Sequence, residues 1–89
     1  MLNQGMTYKI PEQPENSFRI TIELETAESR LDTVLLDALN KQTENESMQQ
    51  MSKTKLKKLF VEKQILIKGQ SAKAKSPLNS GTTFVDILL

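Results

Sequence analysis

The chain has 89 residues, 37% apolar and 26% charged, with one Tyr, three Phe and no Trp; that is enough for one small domain with one modest core and excludes a multidomain enzyme. Cys and His are both absent, which removes disulfides, thiolate chemistry, the commonest general base and the usual nitrogen and sulfur metal ligands. The formal net charge of +1 conceals a division: residues 1–46 carry four basic against nine acidic side chains, a net −5, whereas residues 47–89 carry eight lysines against Glu62 and Asp86, a net +6.

Residues 1–17 contain Pro11 and Pro14 without a hydrophobic period and read as a flexible tail, leaving 18–89 as the domain. They lack the basic start and apolar segment of an export signal, and no apolar run approaches the about 20 residues of a membrane span. A cytoplasmic protein with no membrane partner is expected. In residues 18–25, Phe18, Ile20, Ile22 and Leu24 alternate with Arg19, Thr21, Glu23 and Glu25, which predicts a half-buried strand with a solvated outer face. Ser29, followed three residues later by Asp32, resembles a capping box. It opens a helix whose Leu31, Val34, Leu35, Ala38 and Leu39 form one apolar stripe, with Leu36 off that stripe. Residues 41–50 are polar, without Gly or Pro, and fit either a loop or a frayed continuation of the helix.

A second helix is predicted over 53–62, with Ser52 as N-cap and Leu56, Leu59 and Phe60 as its buried face. Residues 65–67 follow as a strand, with a turn at Gly69 and Gln70. The alternation of Ala72, Lys73, Ala74 and Lys75 predicts another strand with both lysines on one face. Pro77 and the Asn79-Ser80-Gly81 cluster mark a turn before a closing strand over 83–88. Phe18, Phe60 and Phe84 take core positions. The predicted architecture is α+β, two helices packed on a small, mostly antiparallel sheet with an extra N-terminal strand.

The start of the second helix carries the most informative chemistry. Lys53 and Lys55 sit in its first turn, where unpaired amides and the helix dipole disfavour a cation by about 0.3 to 1 kcal/mol and welcome an anion. A hydroxyl at Ser52, two ammonium groups and free backbone donors together suit a phosphate, and Lys57 and Lys58 extend the positive surface. The plainer alternative is long lysines bending into water. Stacking platforms for unpaired bases are unsupported, and lysine supplies point charges rather than guanidinium forks, so recognition by shape and phosphate is expected.

Arg30-Leu31-Asp32, the run from Ser52 to Phe60, Ile65-Leu66-Ile67-Lys68-Gly69, and Leu78 with Gly81 resemble the S-four RNA-binding domain, named after the fourth small-subunit ribosomal protein. The resemblance covers about residues 29–87. It implies the alpha-L RNA-binding motif, with Arg30, Ser52, Lys53, Lys57, Lys58 and Gly69 in the family's motif places. The strand over 18–25, leading into Arg30, is similar to the start of large-subunit ribosomal RNA pseudouridine synthases. There this domain precedes a catalytic one, so the resemblance implies a targeting module in a longer chain. Lys63 departs from the family by replacing the glycine that ends the second helix, Lys68 replaces a turn asparagine, and Thr82 replaces an aspartate. The loop over 41–50 is also longer than usual.

Pseudouridine synthases use an Arg-Leu-Asp run catalytically, but Thr33-Val34-Leu35-Leu36 lacks the expected continuation, so Asp32 reads as a capping carboxylate. No catalytic residue, metal site or cofactor is expected. The expected RNA-binding residues are Arg30, Ser52, Lys53, Lys55, Lys57 and Lys58, with Lys68, Lys73 and Lys75 extending the field around a monomer. Two rivals remain: an adaptor for an acidic protein partner, anchored by Val61 and Leu36, and a helix-turn-helix DNA reader, which would need more base-reading side chains than this helix offers.

Overall fold

The computed structural model describes residues 10–89; the first nine residues of the expected tail, with Tyr8 and Lys9, lie outside them. Strand β1 spans Ser17–Leu24, and helix α1 (Leu31–Lys41) follows. A four-residue helix α2 (Glu46–Gln49) and helix α3 (Lys53–Val61) come next. Strands β2 (Ile65–Ile67), β3 (Gln70–Ser71) and β4 (Gly81–Leu88) complete the chain. The result is a small α+β domain whose four strands form one antiparallel sheet in the order β1-β4-β2-β3. No described helix is long and apolar enough to cross a membrane.

The alternation in β1 sets which side of the sheet is covered. Ile20 and Ile22 join Ile65, Val85 and Ile87 on one face, against Leu31, Leu35 and Leu39 of α1 and Leu56 and Phe60 of α3. Met51 and Leu78 complete this buried cluster, and the burial of these side chains is the main force holding helices to sheet.

Three sequence expectations are corrected. Ser29 makes no cap; Arg30 occupies the N-cap of α1 without a side-chain cap bond. The amides of Leu31 and Asp32 instead donate to the carbonyls of Ser76 and Ala74, both at 2.9 Å. Residues 72–75 form no strand beyond β3. They curl into a turn in which the Lys73 amide donates to Ser76 Oγ and the Ser76 amide to the Lys73 carbonyl, each at 3.0 Å. The small-large alternation survives there as partial burial of Ala72 and Ala74 against exposure of Lys73 and Lys75. Phe84 is not a core residue, because it faces the side of the sheet away from the helices, beneath the Arg19 guanidinium at 5.4 Å.

That outer side is not uniformly solvated either. Arg19 lies opposite Asp86 across β1 and β4 and binds it with two parallel hydrogen bonds, Nε to Oδ1 at 2.7 Å and Nη2 to Oδ2 at 2.9 Å. The Asp86 side chain is 1% exposed and that of Arg19 14%. Hydrogen bonding to the carboxylate holds the guanidinium even more firmly in its charged form.

The undecided segment over 41–50 is organised by side-chain amides. Gln42 Nε2 donates to the carbonyls of Leu39 and Asn45, its Oε1 accepts from the Asn45 amide, and Asn45 Oδ1 caps α2 through the Met48 amide. Asn40 reaches across to the carbonyls of Gln49 and Met51, which fixes where α3 begins relative to α1.

Removing one partner of a buried ion pair strands the other. Asp86→Ala is therefore expected to destabilise the fold by about 3 kcal/mol, read as a lowered denaturant midpoint at unchanged slope. A loss within experimental scatter would show that Arg19 escapes to water.

Candidate nucleic-acid interface

Ser52 forms the cap of α3 foreseen from the sequence, its Oγ accepting from the Lys55 amide at 3.1 Å. At about 100° per residue, burying Leu56 and Phe60 turns Lys53 and Lys57 toward the α1 side of the helix and Lys58 toward solvent. On α1, the loop carbonyls that receive the Leu31 and Asp32 amides draw the turn over 73–76 against the helix start. These two placements converge. Arg30, Lys53, Lys57 and Lys75 line one cleft of about 450 Å³ together with Asp32 and Thr33, and Leu36, Leu56, Phe60 and Ala74 are its apolar lining.

The cleft is strongly positive. Among the described residues, Lys53, Lys57 and Lys75 form no ion pair, and neither do Lys55, Lys58, Lys68 or Lys73. Arg30 is different: its Nε and Nη2 bind Asp32 Oδ1 and Oδ2 at 3.1 and 2.8 Å, and Asp32 Oδ1 also accepts from the Thr33 amide at 2.7 Å. Arg30, above all through this hydrogen bond, holds the Asp32 carboxyl below the usual carboxylate range. The pair fixes the guanidinium plane, and among the described residues Nη1 has no partner, so the cleft offers one oriented guanidinium edge and three exposed ammonium groups.

The remaining expected residues are not in this cleft. Lys55 and Lys58 are exposed on other faces of α3, and Lys73 points out from its turn. Lys68 lies in the hairpin turn with Gly69, in a groove of about 510 Å³ that it shares with residues 11–15, Glu12 and Glu15 among them. Its positive field is therefore partly opposed by nearby acids. The apolar lining joins Leu56 and Phe60, legible as the buried face of α3, to Leu36 and Ala74; of these two, Leu36 is marked in the sequence only by lying off its helix stripe. Among the described residues no group of three or more acidic side chains is placed to hold a metal ion.

Comparison with models of known protein families, with curated proteins and with solved structures returns no match to this chain.

A carboxyl whose folded-state pKa is depressed stabilises the fold above its ordinary pKa and loses that contribution as pH falls through the lowered value. Asp32→Asn is accordingly expected to be less stable than the parent near neutrality, with the gap closing in acid as Asp32 takes up its proton. Denaturation midpoints measured across that range check it. A gap that stays constant would assign the effect to shape rather than charge.

Proposed function

We propose that this chain is an RNA-binding module of the S-four type, in which α1 and α3 form the alpha-L motif. Its ligand is structured RNA, ribosomal RNA in the first instance. The observation that carries the reading is the convergence of Arg30, Lys53, Lys57 and Lys75 from three separate segments onto one cleft. A solvated lysine surface needs no such convergence, and lysines at the start of α3 act against its helix dipole. Phosphates along an RNA strand are the ligand chemistry that rewards both features.

Within this reading Arg30 contributes its free Nη1 edge to a phosphate or a base edge, while Lys53, Lys57 and Lys75 act as point charges along the backbone. The exposed amides at the start of α3 add donors beside Lys53. Leu36, Phe60 and Ala74 offer sugar and base surfaces a place out of water. Lys55, Lys58 and Lys73 add long-range attraction. The module carries no catalytic group of its own and serves to position a pseudouridine synthase domain on its substrate.

Neutralising four phosphates gives a log-log salt slope of about −3 for RNA binding. Lys57→Ala should lower affinity by about tenfold more than Lys58→Ala, since only Lys57 lines the cleft, and reversing Lys53, Lys57 and Lys75 to Glu should abolish binding with the fold intact. Gel-shift titration against a structured ribosomal RNA fragment, with duplex DNA as competitor, measures all three. Equal effects of the Lys57 and Lys58 variants would remove the cleft from the site. Val61, a residue 72% exposed on α3, favours the adaptor as a second reading. A partner held through Val61 would bind with little dependence on salt and weaken on Val61→Ser.

A further inference from the structure

Among the described residues β1 is an edge strand, hydrogen bonded to β4 alone, and its outer edge has a definite identity. The Leu88 amide donates away from β1, to the Gln64 carbonyl, whereas the Leu89 amide donates toward β1, to the Asn16 carbonyl. Alternation along an antiparallel ladder then turns the backbone groups of Phe18, Ile20, Ile22 and Leu24 toward β4. Those of Ser17, Arg19, Thr21 and Glu23 face outward. The Ser17 carbonyl is taken by Gln13 Nε2 at 3.0 Å, and among the described residues the outward amides and carbonyls of Arg19, Thr21 and Glu23 have no backbone partner. Edge strands are normally blunted by proline, a bulge or charged side chains. This one, Ser-Phe-Arg-Ile-Thr-Ile-Glu-Leu, has no proline and keeps unbroken register with β4, and its two charges, Arg19 and Glu23, are of opposite sign and do not repel a second copy.

The strand is also its own chemical complement. About Thr21, Arg19 mirrors Glu23, Ile20 mirrors Ile22 and Phe18 mirrors Leu24. We propose that β1 is a docking edge for a second copy of this chain, joined by antiparallel β1-to-β1 pairing centred on Thr21. In this arrangement Arg19, Thr21 and Glu23 exchange backbone hydrogen bonds with Glu23, Thr21 and Arg19 of the second copy. Glu23 is exposed and forms no ion pair among the described residues, and Asp86 engages Nε and Nη2 of Arg19 but not Nη1. Nη1 is thus available to the opposing Glu23 on the outer face. On the helix-bearing face, the half-buried Phe18 and Leu24 cover each other.

Other registers lose this match. A centre at Ile20 sets Arg19 against Thr21 and Glu23 against Ser17. A centre at Ile22 carries Arg19 beyond the strand, opposite Glu25, and sets Phe18 against Thr26. The sequence alone reads as a monomer because the palindrome becomes informative only once β1 is known to be an edge and Thr21 to face outward. The proposal is independent of RNA binding.

One strand and its flanking side chains make a small interface, below about 1,200 Å², so a reversible, concentration-dependent dimer is expected in sedimentation velocity of the RNA-free protein. Thr21→Pro removes an outward amide without touching the β4 ladder and should sediment as a monomer with unchanged circular dichroism. The chain has no cysteine, so Thr21→Cys places a single thiol next to its own symmetry mate, within disulfide reach. It should oxidise to a covalent dimer about tenfold faster than Glu23→Cys, whose thiol faces Arg19 rather than its counterpart. A monomer at every concentration, a folded Thr21→Pro variant that still dimerises, or equal oxidation of the two cysteine variants would overturn the proposal. Should Thr21→Pro not fold, the pair of cysteine variants decides.

Discussion

The first amides of α1 find their acceptors in another part of the backbone, the carbonyls of Ser76 and Ala74. Helix starts more often take such bonds from a neighbouring side chain or from water. Using a distant loop ties the start of α1 to a segment more than forty residues away, and the paired bonds between Glu28 and Leu78, at 2.8 and 2.9 Å, lengthen the clamp. Leu31 and Leu78 are buried beside it. The clamp sets Lys75 next to Arg30. Without it the cleft would have two walls, both helical, and no third source of positive charge.

This is also where the amino-acid pattern ceases to be readable on its own. Periodicity is a local property, so the stripe of Leu31, Leu35 and Leu39, the alternation from Phe18 to Leu24, and the cap at Ser52 could all be read from neighbours in the chain. Which partner a backbone amide chooses is a non-local property. Ser29 and Asp32 have the spacing of a capping box, yet the amides of Leu31 and Asp32 go to the Ser76 and Ala74 carbonyls of a loop whose Leu78 is buried in the core. Ala72 to Lys75 alternates like a strand, but the pairing with β2 ends at the Ala72 amide, which donates to the Ile65 carbonyl, and from Lys73 on the backbone is taken by the turn to Ser76. The convergence of Lys53, Lys57 and Lys75 depends on these choices. Their positive character was legible in the sequence; their common cleft was not.

The two arginines within the described residues show how setting changes one chemical pair. Arg19 and Asp86 are nearly dehydrated, held across two strands with Phe84 against the guanidinium. There the geometry satisfies charges that would otherwise be costly to bury. Arg30 and Asp32 sit two residues apart at a helix start in contact with water, so their attraction is screened and serves chiefly to orient a side chain. One pair belongs to the architecture of the sheet; the other shapes a surface that a ligand could reach.

Lys63 and Lys68 hold φ values of 61° and 54°, in the left-handed region where a residue with a side chain loses about 1 to 2 kcal/mol relative to one without. Both close elements, Lys63 after α3 and Lys68 in the β2 to β3 turn, and glycine would fit either with less strain. Each such exchange would also subtract a positive charge from the basic half of the molecule. Ruggedness and cationic character therefore pull in opposite directions at these turns, and the composition found here sacrifices some of the first in favour of the second.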